Sequence, residues 1–354
     1  MPLRFERTWI QGTGRFLPGP PVDNDGMDAY IAPLSKVSAR IKRRILAENG
    51  ILARHYAIDP EGRTVHGCAA MASAAIGTCL DDAGRRLGDI GLLACGTSGG
   101  DALMPGFASM VLGELAGPPM QTFSSHGICA SGVGAWEAAA AAVELGSHEN
   151  ALVAAAEMPS RLFKRSRYAA RGYDADFDAH FLRWMLSDGA GALLLEPAPR
   201  RGLNLRIEWL ELLSYANQLP TCMSMGADQR LRQDVRLLNE AVVDYTLVKP
   251  LQRVVAKRSL SADKVDWFLP HMSSEYFRRP VADGLARAGL PVPQERWFTN
   301  LVSVGNIGAA AIYLMLDELL RSGRIRDGQR LLCFVPESGR FSSGFIYLTA
   351  HAHA

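Results

Sequence analysis

Short apolar runs, bounded by glycine or polar residues and separated by stretches of helical periodicity, recur along this chain and leave it few folds to choose from. Residues 90–95, 150–156 and the run ending at Leu193-Leu194-Leu195 are too short for buried helices and too uniformly apolar for sheets with one wet face. They read as strands covered on both sides, with residues 120–123 as a further short strand. Between them the Ala, Leu, Ile and Met positions of 65–87, 107–115 and 130–145 return at helical spacing, and Arg85-Arg86-Leu87-Gly88 has the basic residues and glycine of a helix end. Strands that alternate with helices in this way form a mostly parallel sheet with helices on both faces. The order then recurs: strand 203–213, long helix 235–258, strand 265–269, helices 276–288 and 309–321, and a closing hairpin of 330–335 and 345–349. Residues 197–202, Pro-Ala-Pro-Arg-Arg-Gly, read as a linker. The chain is therefore expected to be two similar halves, 1–198 and 199–354, around one core. Strand and loop pieces are expected in the first fifty residues, where a basic stretch, Arg40 to Arg44, precedes the turn Glu48-Asn49-Gly50.

Charge and cysteine usage exclude several classes of function. The 38 Lys and Arg nearly cancel 36 Asp and Glu over 354 residues, so no global field holds nucleic acid or an anionic membrane. The apolar stretch 132–145 is broken by Glu137 and Glu144, well short of the roughly 20 residues that cross a bilayer. Six cysteines, at 68, 79, 95, 129, 222 and 333, lack any CxxC pairing and read as free thiols in a reducing cytoplasm. No metal site or cofactor is expected, and His351 and His353 read as a frayed tail.

One of the thiols stands apart. The segment Thr122-Phe123-Ser124-Ser125-His126-Gly127-Ile128-Cys129-Ala130-Ser131-Gly132 runs from a strand into an Ala-rich helix and sets Cys129 at the helix N-terminus, where the dipole favours a thiolate. It is a candidate nucleophile, or a small buried hydrophobe as free cysteines usually are. A thiol that transfers acyl groups needs a proton-handling partner and donors for the oxyanion. His271 follows an apolar strand, where catalytic groups of parallel sheets gather, or is a satisfied strand-end histidine. Asn306 lies between Gly305 and Gly308 just before a helix, as an amide donor or a helix cap. His126, three positions from Cys129, is expected to face elsewhere. Gly96-Thr97-Ser98-Gly99-Gly100 matches the serine-hydrolase elbow, but residues 101–106 delay the helix that an elbow requires.

Taken in order, Asn49-Gly50-Ile51 with Arg54-His55-Tyr56, Cys129 at its helix start, the run from Ser187-Asp188 to Ala192, Pro270-His271, Gly305-Asn306 and the segment 339–344 resemble the β-ketoacyl-acyl-carrier-protein synthase III family. These are condensing enzymes of the thiolase fold, and the resemblance covers almost the whole chain. It implies a five-layered αβαβα core, a homodimer, and acyl-CoA or acyl-carrier-protein thioesters as substrates. Cys129 would carry the acyl group as a thioester, and His271 and Asn306 would assist decarboxylation or deprotonation and hold the enolate. The N–H groups of Cys129 and Gly339 would form the oxyanion hole, and Met104 would reach the partner's acyl tunnel. The tryptophan and arginine that clasp the coenzyme A nucleotide in the family fall on Arg44 and Glu48, and Ser274 replaces an amide that contacts pantetheine. Residues 160–184 also depart from the family's compact loop. Arg44, Lys164, Arg165 and Ser274 are accordingly expected to meet a carrier, in a specialised fatty-acid or polyketide-type pathway. Acyl transfer from Cys129 to a hydroxyl or amine, and a non-catalytic partner subunit of a ketosynthase, are the rival readings.

Overall fold

The computed structural model describes residues 4–171, 182–226 and 230–354; part of the departing stretch 160–184 lies outside them. The strands are β1 (Trp9–Phe16), β2 (Leu92–Thr97), β3 (Gln121–His126), β4 (Ala151–Glu157), β5 (Gly189–Glu196), β6 (Gly202–Ser214), β7 (Trp267–Pro270), β8 (Arg330–Glu337) and β9 (Ser342–His353). They pair in the order β7-β8-β9-β6-β1-β5-β4-β2-β3. Since β1 and β6 meet only at Trp9–Arg206 and Ile10–Leu205, the sheet is two pieces lightly joined. In the first piece β3, β2 and β4 run parallel and β5 and β1 follow antiparallel. In the second, β7 and β8 run parallel and β9 and β6 follow antiparallel, with a single parallel bridge from Trp297 to Phe268 outside β7. Strand order and sense are thus the same in both pieces, although the sequences are not visibly repeated.

The helices include α1 (Lys36–Asn49), α2 (Cys68–Ala83), α3 (Phe107–Leu115), α4 (Ala130–Glu144), α5 (Val235–Val243), α6 (Lys249–Arg258), α7 (Arg278–Arg287) and α8 (Ala311–Arg321). Alternate residues of the buried strands face two different cores, as a period of two requires. Leu92, Ala94, Val153, Leu193, Leu331, Cys333 and Ile346 share one core with α4 and α8, while Leu93, Cys95, Ala154, Leu194, Leu332, Phe334 and Phe345 face the other way, with α2, α3 and α5 to α7. Helix, sheet, central helix pair, sheet and helix therefore make the five layers expected from the resemblance.

Three local expectations change. The basic stretch before Asn49 is helix α1, with Ser35 capping Ser38 and Gly50 closing it at φ 67°. The long helix 235–258 contains a π turn at Asp244–Val248. Pro250 has no N–H to give the Thr246 carbonyl, and the Ser343 hydroxyl donates to it instead at 2.5 Å. The tail is not frayed: it continues β9 beside β6 to His353, and both His351 and His353 set their rings edge-on against Trp9.

The central helices approach closely. A Cβ on Gly132 of α4 would lie 2.4 Å from the Ala309 carbonyl oxygen, and the Tyr313 hydroxyl donates to the Gly132 carbonyl at 2.6 Å. Gly132→Ala should therefore lower stability by about 1–3 kcal/mol in urea unfolding despite alanine's better helix propensity. A variant as stable as the parent would contradict this packing.

Candidate active site

The C-terminal ends of β2, β3, β4, β7 and β8 open onto one cavity of about 700 Å³. Its wall holds Cys129, His271 and Asn306, together with His126, Glu157, Glu337 and Gly339. Leu238, Val242, Leu247, Met272, Phe277 and Val281 give it a long apolar side. Among the six free cysteines Cys129 alone is partly exposed, so the feature that separates it from packing cysteines is tertiary.

Asn306 reaches the cavity because its loop is pinned. Its carbonyl accepts from the Ser187 N–H at 2.8 Å and its own N–H donates to the Met185 carbonyl at 3.1 Å. Gly305, at φ 76°, has no room for a side chain, since a Cβ there would meet Ser187 and Arg54 at 2.9 and 3.0 Å. Arg54 in turn donates to the Trp184 carbonyl, and the His55 N–H donates to Ser187 Oγ. Two motifs of the sequence resemblance thus meet at this one loop. Within it the Gly308 N–H donates to Asn306 Oδ1 at 2.9 Å. The amide's orientation is fixed by that bond, and Nδ2 remains a donor with no protein acceptor among the described residues.

His271 is held by its backbone, whose N–H donates to the Phe334 carbonyl at 2.8 Å. Burial pushes its imidazole down to about 4, so the ring is neutral near pH 7. Gly339 sits against Ile128: a Cβ would lie 2.4 Å from Ile128 Cδ1. Neither the Cys129 nor the Gly339 N–H donates to another residue among those described.

The thiol does not behave as its helix position suggests. Burial pushes Cys129 well above the ordinary thiol range, and the carboxylates of Glu337 and then Glu157 push it further. The positive end of α4 already serves another anion, because Glu337 Oε2 accepts from the N–H groups of Ile128 at 3.0 Å and Ala130 at 3.1 Å. Cys129 therefore rests as a thiol rather than the thiolate expected from sequence.

Other expected residues separate from the cavity. Ser274 is buried with its hydroxyl accepting from the Tyr276 N–H at 3.2 Å, and it is Ser273 that lines the cavity. Arg44 pairs with Glu48 at 3.5 Å on the exposed face of α1. Lys164 Nζ donates to the Gly62 carbonyl, and both it and Arg165 border a different, smaller cleft. Met104 is exposed and does not line the cavity, although the neighbouring Leu103, also exposed, does. His126, expected to face elsewhere, lines the cavity. Ser98 donates its hydroxyl to Glu157, and the helix after it begins only at Phe107, so no hydrolase elbow is built. Glu157 and Glu337 went unread in the sequence, although each ends an apolar strand run, the same signal that singled out His271.

Glu157 is buried, and burial raises it to about 7 from its ordinary 4.5. Between those values the folded protein keeps a proton that the unfolded chain releases, so this group's contribution to stability falls as pH rises from about 4.5 to 7. Replacing Glu157 by Gln should remove that slope: the parent should lose up to about 3 kcal/mol relative to E157Q between pH 4.5 and 7.5 in urea unfolding. A difference that stays constant across this range would refute it.

The chain is similar to proteins already known. A family profile described as 3-oxoacyl-[acyl-carrier-protein (ACP)] synthase III C terminal matches residues 255–347. The chain is 29% identical over 331 residues to the β-ketoacyl-[acyl-carrier-protein] synthase III of Neisseria meningitidis, covering 91% of this chain and 93% of that protein. The enzyme of the same name from Neisseria gonorrhoeae is equally similar. Among solved structures, AbyA1, a tetronic acid condensing enzyme, superimposes with a TM-score of 0.81 at 20% identity, covering 97% of this chain and 99% of that one. A variant of Xanthomonas campestris OleA gives 0.82 at 20% identity and 98% of each chain.

Proposed function

Because the chain is a β-ketoacyl-acyl-carrier-protein synthase III-like acyltransferase of the thiolase fold, we propose that it runs a ping-pong Claisen condensation on Cys129. An acyl thioester enters, Cys129 Sγ attacks its carbonyl, and the carrier leaves as a thiol. The N–H groups of Cys129 and Gly339 receive the oxyanion of that step. A second acyl thioester then binds with its carbonyl oxygen toward Asn306 Nδ2 and the neutral His271 ring, which hold the enolate while it attacks the Cys129 acyl carbon. One observation carries this reading: a partly exposed cysteine, an amide whose Nδ2 has no protein acceptor and two N–H groups with none, all among the described residues, meet in one cavity with an apolar side suited to an acyl chain.

The two halves, 1–198 and 199–354, are on this reading functional as well as topological units, the first supplying the nucleophile and the second the His and Asn. The Arg44–Glu48 pair occupies positions that clasp a nucleotide in the family and so favours a carrier-protein thioester over coenzyme A. A second copy of the chain fits against β3, whose outer edge is unpaired among the described residues and whose Phe123 is exposed, with Leu103 and Met104 also exposed.

Intact-protein mass spectrometry after incubation with acyl-CoA or acyl-carrier-protein donors should show one acyl adduct, absent in Cys129→Ala. An adduct that survives this change, or an acyl group that passes to a hydroxyl or amine rather than to carbon, would sink the reading. Sedimentation should give twice the 38.4 kDa chain mass, and a monomer would contradict the pairing at β3.

A further inference from the structure

Two carboxylates line the cavity beside Cys129, and they end corresponding strands of the two sheet pieces: Glu157 closes β4 and Glu337 closes β8. Their oxygens are held differently. Both oxygens of Glu157 are engaged, Oε1 by the N–H groups of Ser98 and Ala309 and Oε2 by the Ser98 hydroxyl. That carboxyl ties β2 to the loop after Asn306 and has no lone group to offer. Glu337 engages only Oε2, through the N–H groups of Ile128 and Ala130 on either side of Cys129. Among the described residues nothing donates to its Oε1. A carboxylate is thus fixed astride the nucleophile with one oxygen unclaimed in the cavity.

A Claisen condensation that proceeds without decarboxylation needs a base for the α-proton, and the residues already assigned do not provide one. His271 is pushed down to about 4 by burial, whereas burial raises Glu337 above its ordinary 4.5. The cavity's arginines are turned elsewhere: Arg161 donates to the carbonyls of Gly99 and Gly100, and Arg340 to Thr221 and the Ala216 carbonyl. A second substrate carrying its own carboxylate would enter a space that already holds two carboxyl groups, and the Arg161 charge that reaches them already acts on Glu157.

We propose that Glu337 is the base that takes the α-proton of a second, uncharged acyl thioester, so that the enzyme joins two acyl thioesters without loss of carbon dioxide. This rests on the acyl-Cys129 reading above. The α C–H bond breaks and its proton goes to Glu337 Oε1, while the electron pair forms an enolate held by Asn306 Nδ2 and His271. The enolate carbon bonds to the acyl carbon on Cys129, the bond from that carbon to Sγ breaks, and the departing sulfur recovers the proton from Glu337.

The test follows α-hydrogen exchange in deuterium oxide, using enzyme first acylated on Cys129 and an unbranched acyl-carrier thioester as second substrate. The parent should exchange the α-hydrogens and form a condensed product. Glu337→Gln should still form the Cys129 adduct, which also reports that it is folded, but lose exchange and condensation by about 100-fold or more. A malonyl thioester should be a poor second substrate for the parent. Unchanged exchange in E337Q, loss of the adduct in E337Q, or efficient malonyl condensation with carbon dioxide release would each overturn the assignment. Absence of any adduct on the parent enzyme would overturn the acyl-Cys129 reading itself, and this proposal with it.

Discussion

The chemistry of this chain depends on how closely its two central helices approach. The first turn of α4 lies against the turn that leads into α8, with Gly132 under the Ala309 carbonyl and the Tyr313 hydroxyl bonded back to Gly132. Gly191 of β5 gives Tyr313 its space, since a Cβ there would stand 2.4 Å from the Tyr313 Cβ. Residues without side chains are what permit such an approach. One helix belongs to the first half of the chain and the other to the second, so their contact is what brings Cys129 within one cavity of Asn306. Sheets on either side clamp the pair through alternate strand residues, which is why the same fold needs strands apolar on both faces.

Electrostatics then set the resting state. An α-helix N-terminus stabilises one nearby anion well, and in α4 that anion is the Glu337 carboxylate rather than the Cys129 sulfur. The thiol stays protonated, a form with little nucleophilicity and low susceptibility to oxidation. On the proposed reading, its reactivity is drawn out by a substrate that brings a carbonyl under the N–H groups of Cys129 and Gly339. A buried, neutral His271 and an Asn306 whose amide orientation is fixed by Gly308 share the cavity with the two carboxyl groups, beside an apolar side.

Much of this was legible in the chain itself. Periodicity and turn residues located nearly all the strands and helices, and the glycines around Cys129 and Asn306 marked where backbone comes close. Helix α1 was missed because its apolar face is narrow amid basic residues; the π turn was missed because a carbonyl orphaned by Pro250 is rescued from β9, almost a hundred residues away. Ser274 looked like a ligand contact by position, yet a local cap turns it inward and presents Ser273 instead.

By itself the sequence determined the alternation of strands and helices, since a strand's period of two and a helix's period of 3.6 are local properties; the five layers followed only from the family resemblance. It also marked Cys129, His271 and Asn306, which stand at strand and helix ends that a reader can locate. The ionisation of that site was decided only by the tertiary structure. Whether the field at α4 would serve Cys129 or Glu337 depends on two N–H groups meeting a side chain more than two hundred residues away. Burial and long-range contacts of that kind leave no trace in a local pattern.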